Sequence, residues 1–363
     1  MDRRIWQRFD YWLFGTVVLL CVFGIVMIRS AVAGNAEIAG SPMRQTIFVG
    51  AGLVVLLITT LIDYRYWSAL ARSMYVVAVA ALIGIYALGT ALYGSARWFD
   101  TGVILIQPSE IAKIVLILVL ANFFASNKDR PKDLMWMAKS FAMMAGIMFC
   151  IFLQPNLSTS IVMVLLWFAM LWVRGLPLKF LPWMAGGVMV VGLAVLPFLE
   201  NYQLKRIVDF FFQDQNARHG NAFNVNQALI TIGSGGWFGM GYGHGTQVQL
   251  RYLKVRHTDF IFSAMAEEFG FVGTVLVVGL IVFVILRCLR IARRAPDMFG
   301  ALVCYGVATL LFFQTMVNVG VNLKVLPVTG LTLPFVSYGG SSLLSLILGI
   351  GLVESVAAHS ETS

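Results

Sequence analysis

The sequence predicts an all-α integral membrane protein of about ten transmembrane helices, with a large extracellular loop between spans 7 and 8. Three observations carry this. Hydrophobic residues make up 59% of the 363 and charged residues 12%, whereas soluble domains carry about a quarter charged residues. Apolar runs of roughly 18–25 residues recur along the chain, long enough to cross a hydrocarbon core of about 30 Å. The formal net charge is +9, yet the basic residues sit mostly in short turns between the runs. That is a topology signal rather than a nucleic-acid surface, so no nucleic acid is expected as a partner.

The spans are predicted over 11–29, 45–62, 73–92, 109–125, 136–153, 158–173, 179–198, 260–286, 299–321 and 337–357. The first begins like a signal peptide, with Arg3, Arg4 and Arg8 before an apolar stretch and Ala31-Val32-Ala33 after it. Its apolar stretch, Tyr11 to Ile28, exceeds the usual signal core of about 7–15 residues and reads as a retained span. The fourth opens on Pro108-Ser109-Glu110, a helix-start signature. The turn 174–178 joins the sixth and seventh tightly. Between the seventh and eighth runs the long loop 199–257. Its amphipathic stretches, Tyr202 to Phe212 and Phe223 to Ile232, suit short helices on the membrane surface. Cys21, Cys150, Cys288 and Cys304 lie in or beside apolar runs without CxxC spacing and read as core residues. With no internal repeat, residues 1–363 form a single polytopic membrane domain.

Orientation follows from Lys and Arg in the short loops. Arg3, Arg4, Arg8, Arg65, Arg72, Lys128, Arg130, Lys132, Lys139, Arg174, Lys179, Arg287, Arg290, Arg293 and Arg294 fall on one side. Arg29, Arg44, Arg97 and Lys324 fall in the short loops of the other. Both termini are therefore expected in the cytoplasm and the long loop outside. The segments rich in polar residues, Gly and Pro (94–113, 154–160, 233–259 and 327–342) all fall on the outer side. Irregular backbone near membrane depth belongs in protein or around a water-filled space, so these segments predict a cavity opening outward.

Asp259 stands where the eighth span begins. On a continuous helix, positions 259, 263, 266 and 270 share a face and read Asp, Ser, Ala, Gly. An acid heading a small-residue strip suits a functional group near the interface or a helix cap. Glu267 and Glu268 lie deeper and read as partners for basic groups or as packing contacts. In 107–113, QPSEIAK, Glu110 and Lys113 are three residues apart and suit an ion pair. A helix N-terminus beside Lys113 also suits an anion. His244 and His257 have no metal-ligand spacing, and no metal site is expected. The glycines of 233–245 lack the GK[ST] of a P-loop and read as a tight, irregular loop.

The segments GSARWFDTG…IQPSEIAK, QPNLSTS, GSGGWFGMGYGHGTQ, RHTDFIFSAMAEEFG and GLTLPFVSYGGSS, in this order, resemble the SEDS family (shape, elongation, division and sporulation). The resemblance covers nearly the whole chain. RHTDFIF and the N-terminal FDYW are more similar to its elongation branch, while GLTLPFVSYGGSS also suits its division branch. The resemblance implies a ten-span peptidoglycan glycosyltransferase of the bacterial cytoplasmic membrane. Such an enzyme polymerises lipid II at the outer face, among membrane lipids, and works with a class B penicillin-binding protein as transpeptidase. It places the essential acid at Asp259, and Glu110 and Lys113 in the fourth span. It puts Arg97, Gln107, Ser109, Gln154, Arg256, His257, Thr258 and Ser337 in the substrate-binding segments. Many members have Asp where this chain has Asn156, and Gly where it has Ser158; an Asn cannot take a proton as a base.

The implied chemistry assigns Asp259 as general base to the acceptor hydroxyl. Lys113 and Arg256 would lie near the departing pyrophosphate, with Glu110 orienting Lys113. No cofactor motif is present, and a divalent cation stays an open alternative. A lipid II flippase also fits an outward cavity, but the inner ends lack the broken segments that alternating access would call for. A non-enzymatic scaffold for a cell-wall synthase would tolerate replacement of Asp259 and Lys113.

Overall fold

A computed structural model describes residues 3–88, 90–92, 95–100, 105–127, 133–154, 156–182, 186, 201–212 and 220–360. Its helices are α1 (Arg3–Arg8), α2 (Tyr11–Ala31), α3 (Ser41–Leu61), α4 (Tyr64–Leu88), α5 (Pro108–Ser126), α6 (Leu134–Leu153), α7 (Leu157–Val173), α8 (Asn201–Phe211), α9 (Asn221–Ser234), α10 (Thr246–Gln249), α11 (Ile261–Arg294), α12 (Met298–Asn322) and α13 (Gly340–Ala358). Among the described residues eight helices are long and apolar enough to cross a membrane, and α7 is a shorter apolar helix of 17 residues. Nine of the ten predicted spans are thus accounted for. The seventh, 179–198, lies almost wholly outside the described residues, as do Lys128, Arg130 and Lys132.

Two differences from the predicted elements have clear causes. The third span starts at Tyr64 rather than 73, because Arg65 and Arg72 continue the helix beyond its apolar part. Between α4 and α5 a small antiparallel sheet, β1 (Thr90–Leu92), β2 (Ser95–Asp100) and β3 (Leu105–Ile106), adds a ribbon to an otherwise helical fold. The side chain of Arg97, on β2, lies outside the described residues.

Alternate spans run antiparallel, so α3, α5, α7, α11 and α13 all begin at one end of the bundle. The most enclosed are α5, α12 and α13; α13 packs against α3, and α12 against α11, α5 and α7. At the other end Asp10 ties three spans together. Its carboxylate accepts from Leu13 N, capping α2, and from the Arg287 guanidinium, while its own N–H donates to Glu354. Beside it Tyr64 Oη donates to Asp297 (2.5 Å).

The glycine-rich stretch after α9 is built into the bundle. At Gly270 the backbone of α11 leaves the helix (φ 68°, ψ −168°). The loop 235–241 enters the break and exchanges four backbone hydrogen bonds with it. Met240 N and Gly241 N donate to Glu267 O and Glu268 O (2.9 and 3.0 Å). Phe271 N and Val272 N donate to Gly236 O and Trp237 O (2.9 and 3.1 Å). A backbone interrupted within a span must recover its polar partners from protein, and this loop supplies them. A Cβ at Gly270 would collide with the backbone of Gly239 and Phe238, and one at Gly239 with the carbonyl of Glu268.

Candidate functional site

Asp259 lies in the turns that precede α11, not on its face. The N-cap position is Phe260, without a side-chain capping bond. The predicted strip of Asp259, Ser263, Ala266 and Gly270 therefore does not form a common helix face, and Asp259 does not cap the helix. What fixes it is main chain. Its carbonyl accepts from Asn318 Nδ2 (3.1 Å) and Asn322 Nδ2 (3.0 Å) on α12. Asn322 Oδ1 in turn accepts from Ser263 N (3.2 Å) and Ser263 Oγ (2.6 Å), closing the junction of α11 with α12.

The carboxylate is left free of this scaffolding. Apart from the neighbouring Thr258 it has no hydrogen-bond partner among the described residues. It lies against Gly330, where a Cβ would stand 3.8 Å from Asp259 Oδ2. Burial pushes it up to about 6, against the opposing pull of the Arg206 charge and the Thr258 hydroxyl. Arg206, on α8, also donates to the carbonyls of Val328 (3.3 Å) and Thr329 (3.5 Å).

The loop 323–339 joins the parts. Ser337 Oγ donates to Thr258 O (2.8 Å) and accepts from Leu333 N (2.8 Å). Tyr338 N donates to His257 O (2.9 Å), and the two rings are 5.7 Å apart. Burial and then the Arg256 charge push His257 below its ordinary range. Ser158 Oγ, at the start of α7, donates to Thr329 O (2.6 Å). Gln45 of α3 bonds Ser337 O and Gly339 N. Against α2, Gly24 admits the loop, since a Cβ there would stand 2.7 Å from Phe335 O. Among the described residues the non-glycine positions with positive φ are Arg251, Val255, Lys324 and Phe335. All four lie in the two segments that frame Asp259, and left-handed strain of this kind is stored at functional sites.

From α13 the contacts pass to the start of α5, where Ser341 Oγ accepts from Gln107 N (3.0 Å). One turn further Lys113 Nζ donates to Glu110 Oε2 (2.8 Å), with Lys113 0% and Glu110 6% exposed. Ser109 beside them is buried with no partner for its hydroxyl among the described residues. The N-termini of α5, α7, α11 and α13 are thus stitched to one loop system, and each presents its positive dipole end there.

Other predicted residues have structural duties. Gln154 Nε2 donates to Leu82 O (2.9 Å), tying α6 to α4. Asn156 caps α7 through Thr159 N (3.3 Å), which a neutral amide does well. Arg256 is buried and donates to Ala31 O at the end of α2; burial and Arg251 push it below its ordinary range. Among the described residues Glu267 does not pair with a basic group. Its carboxylate accepts from Gln247 N (2.8 Å), Val248 N (3.2 Å) and Thr246 Oγ1 (3.2 Å), anchoring the start of α10. Glu268 accepts from Ser30. Sequence reasoning missed Arg206, Asn318 and Asn322. The two Asn, four residues apart on an apolar helix, were a readable signal of a shared polar face.

The fold and the site define a multi-pass helical membrane protein that holds a half-buried carboxylate within stitched polar loops at one end of its bundle. The chain belongs to the FtsW/RodA/SpoVE family, described as cell cycle protein, whose profile matches residues 11–362. It is 35% identical to the peptidoglycan glycosyltransferase MrdB of Escherichia coli K12, over 94% of this chain and 92% of that one. It is 33% identical to the stage V sporulation protein E of Bacillus subtilis, over 94% and 95%. Among solved structures it resembles the rod shape determining protein RodA of Thermus thermophilus (31% identity, TM-score 0.73, 98% of each chain). A chain of a peptidoglycan synthase complex, described as coordinating polymerization and crosslinking, matches with TM-score 0.83 at 30% identity, over 97% of this chain and 99% of that one.

Proposed function

We propose that the chain is a peptidoglycan glycosyltransferase that polymerises lipid II into β-1,4 glycan strands at the outer face of the cytoplasmic membrane, during elongation and shape maintenance. The observation that carries this is the unspent carboxylate of Asp259, held by its own main chain in a family whose relatives bear that activity. Asp259 takes the proton of the GlcNAc hydroxyl as its oxygen attacks the anomeric carbon of MurNAc. The bond to undecaprenyl pyrophosphate breaks on the opposite face, and inversion of an α-linked donor gives the β link in one displacement. Lys113 and the dipole ends of α5, α7, α11 and α13 favour the departing pyrophosphate. Arg256, committed to Ala31, shapes the loop before Asp259 instead. Arg206 takes the place of second cation near the acid. Gln107, Ser109, His257, Thr258, Ser337 and Arg97 belong to the segments around the substrate, and Gln154 supports them from the joint of α6 with α4.

The asymmetry of basic residues supports cytoplasmic termini and an outward Asp259. A class B penicillin-binding protein is the proposed partner, in keeping with the synthase complex that this fold matches.

The test is polymer formation from labelled lipid II across pH, with the partner present. A base that titrates near 6 must be ionised to work, so the rate is expected to rise through about pH 6 and level off above. Arg206 favours the ionised form. Arg206→Gln is therefore expected to move the rise to higher pH, and Arg206→Lys to leave it in place. A flat profile in both proteins would remove Asp259 as base. Scrambling of lipid II between leaflets without polymer would make the protein a transporter.

A further inference from the structure

At the end of the bundle opposite Asp259, a groove of about 600 Å³ opens between the last turns of α11 and the flank of α12. It is lined by Leu286, Leu289, Arg290, Arg293 and Arg294 of α11 and Tyr305 of α12. The three arginines are exposed, and none has an ion pair or hydrogen bond to its side chain among the described residues. Their neighbour Arg287 is satisfied by Asp10, and Arg65 by Asp63 and Asp297. These three charges are thus uncompensated among the described residues, whereas Arg287 and Arg65 have acidic partners.

Their order along the helix matters. The apolar pair, Leu286 and Leu289, precedes the arginines along the helix, and the arginines follow toward the helix end. Beyond the break at Gly270, α11 runs unbroken to Arg294, about 36 Å, more than the roughly 30 Å of a hydrocarbon core. Its final turns therefore reach the headgroup level of the far leaflet. An apolar wall leading into three guanidinium groups, with a tyrosine at the boundary, matches an acyl chain leading into a phosphodiester.

We propose that this groove binds the headgroup of an anionic phospholipid of the inner leaflet, its phosphate held by Arg290, Arg293 and Arg294 and its first methylenes against Leu286 and Leu289. Basic recesses between spans on the cytoplasmic side are suited to such headgroups. The assignment is independent of the reaction at Asp259.

The test is native mass spectrometry of the purified protein titrated with phosphatidylglycerol, phosphatidylcholine or inorganic phosphate. Wild type is expected to retain phosphatidylglycerol in preference to phosphatidylcholine. The triple variant Arg290→Gln, Arg293→Gln, Arg294→Gln is expected to lose at least about 10-fold in apparent affinity. Leu289→Trp, which fills the groove and keeps every charge, is expected to lose it too. A control that removes three charges elsewhere at the same end (Arg72→Gln, Lys139→Gln, Lys179→Gln) is expected to bind like wild type. Equal loss in the control would reduce the effect to the general basic surface and overturn the site. Wild-type binding by Leu289→Trp would also overturn it, and so would competition by inorganic phosphate at equal concentration, which would mark a free-anion site.

Discussion

Gly270→Ala is expected to destabilise the protein by at least about 3 kcal/mol. Its backbone angles, φ 68° and ψ −168°, lie in a region open essentially to glycine, where strain costs about 1–3 kcal/mol. The added Cβ would also stand 2.6 Å from Phe238 backbone atoms. Those atoms are main chain and cannot swing aside. Relief requires the loop 235–241 to leave the break, forfeiting four backbone hydrogen bonds worth about 0.5–1.5 kcal/mol each. Gly279→Ala is the matched control, because that glycine lies within the same helix with nothing within 4 Å of a new Cβ. It is expected to be neutral, or to stabilise by up to about 1 kcal/mol. Thermal melting in detergent compares the two, and equal midpoints would show that the inserted loop does not hold α11.

Lys113→Ala is expected to cost about 3–5 kcal/mol, because it strands the Glu110 carboxylate in the protein interior. Lys113→Met with Glu110→Gln removes both charges and is expected to recover most of the melting midpoint. Stability and activity should then separate. If Lys113 supports the departing pyrophosphate, the double variant stays folded and makes no glycan polymer. A folded double variant with wild-type polymerisation would reduce the pair to internal scaffolding.

Much of this was legible in the sequence where the physics is local. The start of α5 at Pro108 follows from Pro-Ser-Glu, and α8 and α9 from their amphipathic patterns. Where distant segments decide, the reading fell short. The apolar pattern of 260–286 runs through Gly270 without a signal, because the break is completed by a loop some thirty residues earlier. The local pattern puts Asp259 on a helix face or at a helix cap, but its carbonyl is claimed by Asn318 and Asn322 and the helix begins only after it. The last span starts at Gly340 rather than 337, since Ser337 and Tyr338 are engaged with Thr258 and His257. Glu267 reads from the sequence as a partner for basic groups or a packing contact, and the amides of α10 fold back onto it. Arg206, far along the chain from Asp259, had no local mark at all.

The most direct test of Asp259 as base is the initial rate of glycan formation from labelled lipid II by wild type and Asp259→Asn, each with the class B partner. The amide keeps the size of the side chain, and the main-chain carbonyl keeps both of its asparagine donors. Melting midpoints are therefore expected to match. The rate is expected to fall by about 10²–10⁴, the contribution of a positioned general base. Matching midpoints with an unchanged rate would contradict the account and move the proton transfer to another group.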